Sequence, residues 1–299
     1  MEALTAFRQY LEREREYSPH TVLAYTRDIS FLMEWVKTRT QSDVLPEHWY
    51  QDITHRQLRA WMAELLTQGV GARSLARKIA SINAFYRFLQ KTELTQKNPA
   101  SRVSVPKIEK KLPVWLKPEE TRQLFDSIPF SPDFLGTRDQ LILEILYGCG
   151  LRRAELLNLS TNDIYLSKGV MKVKGKGNKE RLVPFGDHVK TAYLAYLPLA
   201  EAEGFNVQEI LFRDKSGKPL GPRQLHTLIT QYIGQVSTLT QRSPHVLRHT
   251  FATHLLNEGA DLNAIKEMLG HTSLAATQVY VHNSIAKLKQ VYQKSHPKA

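Results

Sequence analysis

Cysteine is nearly missing from this chain. Cys149 is the only one in 299 residues, which excludes an intrachain disulfide or a cysteine-based zinc ribbon and fits a reducing compartment. Long apolar runs are missing too: the longest uncharged stretch, residues 224–241, is broken by Gln, Thr, Ser and Gly. A bilayer span needs about 20 predominantly apolar residues, so no membrane role is expected. Charges punctuate the first sixteen residues, which leaves no apolar core for a secretory signal, and a cytoplasmic protein is the expectation. Acidic residues are the scarcer charge, 29 against 41 Lys and Arg, for a net +12 and a pI near 9.6. That surplus points to a polyanionic partner, with nucleic acid the default, although net charge alone fits a merely basic soluble protein equally well.

What is present divides in two. Residues 1–91 carry four amphipathic helical patterns. Phe7 and Leu11 mark the first. Ser18-Pro19 caps the second, whose stripe is Val22, Tyr25, Ile29, Leu32, Met33 and Val36. Leu58, Trp61, Met62, Leu65 and Leu66 mark the third, and Leu75, Ile79, Ile82, Phe85, Tyr86 and Leu89 the fourth. Arg73, Arg77 and Lys78 fall off that last stripe, which predicts a polar face suited either to DNA contact or to plain solvation. Residues 92–113 lose the periodicity and gain Pro99, Pro106, Pro113 and several lysines, the pattern of a stiff basic linker. Residues 114–299 mix helices with three β-like runs near 164–166, 170–173 and 181–184, the last two joined through the loop that holds Lys176. Both halves are basic: residues 1–105 hold 15 Lys and Arg against 11 Asp and Glu, and the remainder 26 against 18.

Several constellations could carry chemistry. His245 and Arg248 lie three apart near a helix start, a fit receptor for phosphate. His245 with His249, and His254 with Glu258, also have the i, i+4 spacing of metal ligands, but the HExxH glutamate is missing and Arg248 would stand among the ligands, so no metal is expected. Gly175-Lys176-Gly177 fails as a phosphate-binding nucleotide loop, because the glycine spacing is wrong and Gly177 replaces the hydroxyl residue. A hairpin lysine can instead reach into a groove or give up a proton, and it can equally be an ordinary turn residue. Residues 261–277 have the look of a helix-turn-helix, which admits a DNA-binding regulator without chemistry.

Taken together, the motifs Gly148-Cys149-Gly150-Leu151-Arg152-Arg153-Ala154-Glu155-Leu156, Lys174-Gly175-Lys176-Gly177-Asn178-Lys179-Glu180-Arg181, His245-Val246-Leu247-Arg248-His249, and Leu269-Gly270-His271 with Tyr280 nine positions on resemble the tyrosine recombinases, most closely the Xer-type site-specific recombinases. The resemblance implies a mainly α fold. It would have an N-terminal four-helix SAM-like DNA-binding domain and an α-rich catalytic domain with a small three-stranded antiparallel sheet. It implies Tyr280 as nucleophile, Arg152 and Arg248 as the phosphate clamp, His271 as a further phosphate donor, Lys176 as general acid, His245 as acid or base, and Glu155 as support for the first arginine. No cofactor, metal or nucleotide is implied.

The implied partners are a double-stranded DNA recombination site and either further copies of the chain or a paralogous recombinase, in a homo- or hetero-tetramer. A DNA translocase as activator and a nucleoid-associated cytoplasmic location are also implied, with residues 283–299 docking on a neighbour. The two domains would close as a C-shaped clamp on duplex DNA, in chromosome or plasmid dimer resolution. A mobile-element integrase with the same chemistry is the enzymatic alternative. Arg153 and the pair Ala276-Thr277 depart from the usual Xer pattern, and the length leaves no room for an arm-binding domain.

Overall fold

The structure is a computed structural model and describes residues 2–105, 114–175, 179–270 and 281–298, with side chains omitted for 281–287. The chain separates into two compact units, Met1–Lys111 and Leu112–Ala299, each with its own core.

The first unit is a helical bundle of α1 (Glu2–Arg13), α2 (Pro19–Thr40), α3 (His55–Thr67) and α4 (Ala72–Lys91). Local chemistry sets their starts. The Ser18 hydroxyl accepts from the Thr21 N–H and Pro19 supplies the fixed φ of a first helical residue. Thr54 and Gln57 form a reciprocal capping box ahead of α3. The core gathers Phe7, Ile29, Leu32, Trp61, Leu75, Phe85 and Leu89, with the Phe7 ring edge-on to Phe85 at 5.2 Å. Leu66, expected on the buried stripe, is half exposed at the end of α3.

Lys78 needs a correction. It does not lie on a solvated face but is buried at 7% exposure. Its ammonium reaches the equally buried Asp28 carboxylate at 3.2 Å and lies 4.3 Å from the centre of the Phe31 ring. Arg77 and the Ser81 hydroxyl donate to the same carboxylate. Beyond α4, residues 94–105 do not run free as the start of a linker: Ala100 and Val103 are buried in the bundle core, and the Asn98 amide donates to Asn83.

The second unit is mainly helical around one small sheet. Its helices are α5 (Pro118–Asp126), α6 (Phe134–Gly148), α7 (Arg153–Leu157), α8 (Asp187–Ala202), α9 (Pro222–Val236), α10 (Pro244–Asn257), α11 (Leu262–Leu269) and α12 (Val281–Ser295). Strands β1 (Ile164–Tyr165), β2 (Val170–Lys174) and β3 (Glu180–Pro184) form an antiparallel sheet in the order β1-β2-β3. Met171 faces Val183 and Lys174 faces Glu180 across β2 and β3. Helix α6 is buried on nearly every side, because it carries apolar residues all round and other helices cover each face.

The C-terminal segment packs on its own unit. Leu288, Tyr292, Ser295 and His296 are buried. The His296 ring stacks on Tyr292 at 4.7 Å, and Lys298 pairs with Glu144 while lying 3.8 Å over Phe125. In the single chain these side chains pack on their own unit, against Glu144, Tyr147 and Phe125. Among the described residues no helix is long and apolar enough to cross a membrane.

Candidate active site

The site is assembled at the ends of four elements of the second unit. Arg152 is the residue before α7, and Glu155 caps the helix start by accepting from the Arg152 backbone N–H at 2.8 Å. The same carboxylate accepts from Arg152 Nη1 at 2.8 Å and from both terminal nitrogens of Arg181 on β3, each at 2.9 Å. Arg248, from the first turns of α10, brings Nη1 to 3.9 Å of it.

Three guanidiniums and one carboxylate sum to +2, a standing attraction for a doubly shared anionic group. Burial pushes the Glu155 carboxyl up, but the hydrogen bonds and charge of Arg181 and Arg152 outweigh it and hold it down at about 2. Burial pulls Arg248 down to about 10, helped by Arg152 and opposed by Glu155, and it stays protonated at neutral pH.

The same arginines cap the C-terminus of α11, where helix geometry leaves carbonyls without partners. Arg181 Nε donates to the Met268 carbonyl at 2.8 Å, Arg248 Nη2 to Leu269 at 2.7 Å and Arg152 Nη2 to Gly270 at 3.0 Å. Arg248 Nη1 also donates to the Gly150 carbonyl at 2.6 Å. Gly150 has a positive φ of 60°, and a Cβ there would meet Phe251 at 2.5 Å, so the turn that presents this carbonyl requires glycine.

His245 is exposed at the start of α10. Partial burial, then His249, Arg248, Arg153 and Arg152, pull its pKa below 6.5. It is therefore neutral at pH 7 and able to accept a proton. His254 points elsewhere: it is buried between the Tyr147 hydroxyl and the Leu116 carbonyl, each at 3.1 Å, which makes it a structural residue of the core. No group of metal-binding side chains occurs among the described residues.

Arg152, Glu155 and Arg248 are thus brought together, with His245 one helical turn before Arg248. Lys176, His271 and Tyr280, like the second half of the helix-turn-helix pattern, lie outside the described residues. Arg73 and Arg77 are exposed on α4 of the other unit. Arg181 had no assigned role in the sequence, where the only cue was its place beside the lysine hairpin. Two concavities, one lined by Gln140, Glu144 and His188 and one by Phe125, Tyr147, His254 and Lys298, are not lined by the arginine site.

Residues 114–287 match the phage integrase family and residues 4–93 its N-terminal SAM-like domain. The chain belongs to the phage integrase family, as a tyrosine recombinase of the Xer type, and is accordingly an enzyme, a site-specific recombinase. Tyrosine recombinase XerC of Pelobacter propionicus is 40% identical over 299 residues, covering 100% of this chain and 96% of its own. XerC of Pelotomaculum thermopropionicum is 38% identical, covering 98% and 97%. Among solved structures, XerH recombinase bound to its difH substrate has a TM-score of 0.69 at 22% identity, covering 97% of this chain and 81% of that one, a likeness of fold.

Proposed function

We propose that this chain cuts and rejoins duplex DNA at a specific site through a 3'-phosphotyrosyl intermediate, with Arg152 and Arg248 clamping the scissile phosphate. The convergence of both guanidiniums on Glu155 carries the proposal, because it fixes two forked donors beside each other before any phosphate arrives. Negative charge grows on the nonbridging oxygens as the phosphorus becomes pentavalent. Donors already in place stabilise that state more than the ground state.

Tyr280 attacks phosphorus and forms the new phosphoester as the bond to the 5' oxygen breaks. His245 takes the phenolic proton, Lys176 gives one to the departing 5' oxygen, and His271 adds a hydrogen bond to the phosphate. The energy of the broken phosphodiester is kept in the protein–DNA bond, so rejoining needs no nucleotide. The biological setting we propose is resolution of chromosome or plasmid dimers at partition and cell division. The chain would act in the cytoplasm on a double-stranded recombination site, as a tetramer with itself or a paralogue, and a DNA translocase would serve as activator. The likeness to XerC over the full chain supports that setting.

The test is to denature cells expressing the protein, isolate it with covalently attached DNA, sequence that DNA and rebuild it as a nicked duplex. The wild type should form an adduct that Tyr280→Phe does not. Recovery of no covalently attached DNA from cells in which the protein still binds DNA would leave a DNA-binding regulator instead.

A further inference from the structure

Arg181 is a largely buried cation of the site. Its side chain is 15% exposed, between 37% for Arg152 and 9% for Arg248, and its guanidinium is turned inward. Both terminal nitrogens bind the two oxygens of Glu155, and Nε binds the Met268 carbonyl. This fork uses one edge of the planar group on a carboxylate and the third nitrogen on a helix end, which a lysine's single point of charge cannot reproduce.

A glycine makes room for it, and a second lies beside it. Gly270 has a φ of +63°, and a Cβ there would stand 3.1 Å from Arg181 Nη1 and 3.2 Å from its Cζ. A Cβ on Gly175 would lie 3.8 Å from both Arg181 Nη1 and Glu155 Oε1. Gly175 directly precedes Lys176 and Gly270 directly precedes His271, so one guanidinium lies beside the roots of both segments. Glu155 in turn orients Arg152, and the carbonyls of residues 268–270 that Arg181 helps to fix also receive Arg248 and Arg152.

We propose that Arg181 is a positioning residue for the recombination reaction: through Glu155 and the end of α11 it sets the spacing of the Arg152–Arg248 clamp and the roots of the Lys176 and His271 segments, without touching DNA. The inference rests on the proposed strand-cleavage chemistry.

Its test uses the full chain and the nicked duplex recovered with the wild type, prepared with an ordinary scissile phosphate or with one nonbridging oxygen replaced by methyl. Arg181→Lys should bind both duplexes as the wild type does and stay folded, with a lowered thermal midpoint because an ammonium replaces only part of the fork. It should cleave the phosphate about a hundredfold more slowly, the scale of a misplacement of about 1 Å. On the methylphosphonate the slowing should shrink below about tenfold, because the charge that the displaced clamp fails to meet has been removed. Cleavage at the wild-type rate, or equal slowing on both duplexes, would overturn the proposal. Should Arg181→Lys fail to fold, Gly270→Ala, whose methyl displaces the same guanidinium, is run on the same pair of substrates under the same criteria. Failure to recover any covalently attached DNA with the wild type would instead defeat the strand-cleavage chemistry, so the two failures are told apart.

Discussion

Glu155 is 5% exposed and yet ionised, and that combination shapes its surroundings. A buried carboxylate holds its charge only while its partners stay in place. Glu155→Gln keeps the shape and removes the charge, leaving Arg181 buried against a neutral amide. Breaking a buried pair in this way costs about 3–5 kcal/mol, and urea unfolding should show a loss on that scale together with much slower cleavage. The proposed acid gives a second test on single residues. Lys176→Ala should slow cleavage by about 10²–10⁴ with the natural leaving group, and far less when the 5' oxygen is replaced by sulfur, whose thiolate leaves without a proton. Equal slowing on both would remove Lys176 from that role. His245, held below its ordinary pKa, is neutral at pH 7. Cleavage should therefore persist as pH falls to 6.5 and decline only below it, which a single-turnover pH profile can check.

At the scale of elements, the docking of α12 and the residues after it is sensitive to acid. His296 is 5% exposed, and burial brings its pKa down to about 3 from 6.5. The folded state thus resists a proton that the unfolded chain accepts. Stability is full above pH 6.5 and falls as pH drops from there toward 3, by about 1.4 kcal/mol per unit. Urea unfolding at pH 7 and pH 5 should show a loss in the wild type exceeding that of His296→Phe by about 2 kcal/mol; equal losses would mean that the ring is already solvated.

The elements also show what a sequence makes legible. Ser18, Pro19 and the β2–β3 pairing could be read because their partners lie close along the chain. Lys78, Arg181 and His254 could not, because Asp28 is 50 residues away, Glu155 is 26 away from Arg181, and Leu116 is 138 away from His254. Spacing reports the face on which a residue stands. It does not report the charge that another element places opposite, so Lys78 read as a surface cation and His254 as a metal candidate. Arg152, Glu155 and Arg248 were legible through a resemblance spread over several motifs, while the carbonyls of α11 that hold the clamp had no sequence cue at all.

For the whole molecule, the net charge of +12 mixes cations with different duties. Arg152, Arg181 and Arg248 surround one carboxylate, Lys78 and Arg77 pair with Asp28 in the helical unit, and Arg73 is exposed, which makes it a proposed contact for the duplex backbone. If the proposed clamp arginines supply the charge that a metal ion provides in other phosphoryl transfers, cleavage of the nicked duplex should proceed at an unchanged rate in excess chelator. Its abolition would mean that a metal takes part. Affinity divides differently. Each phosphate contact contributes about 0.9 to the slope of log K against log salt on B-form DNA. Arg73→Ala should lower that slope by about 1 with stability unchanged. Lys78→Ala should leave the slope unchanged and destabilise the helical unit by about 3 kcal/mol or more, since it strands the Asp28 carboxylate beside fewer cations. Paired salt titrations and urea unfolding of the two variants check this, and a reduced slope for Lys78→Ala with unchanged stability would show that its ammonium leaves Asp28 to meet DNA.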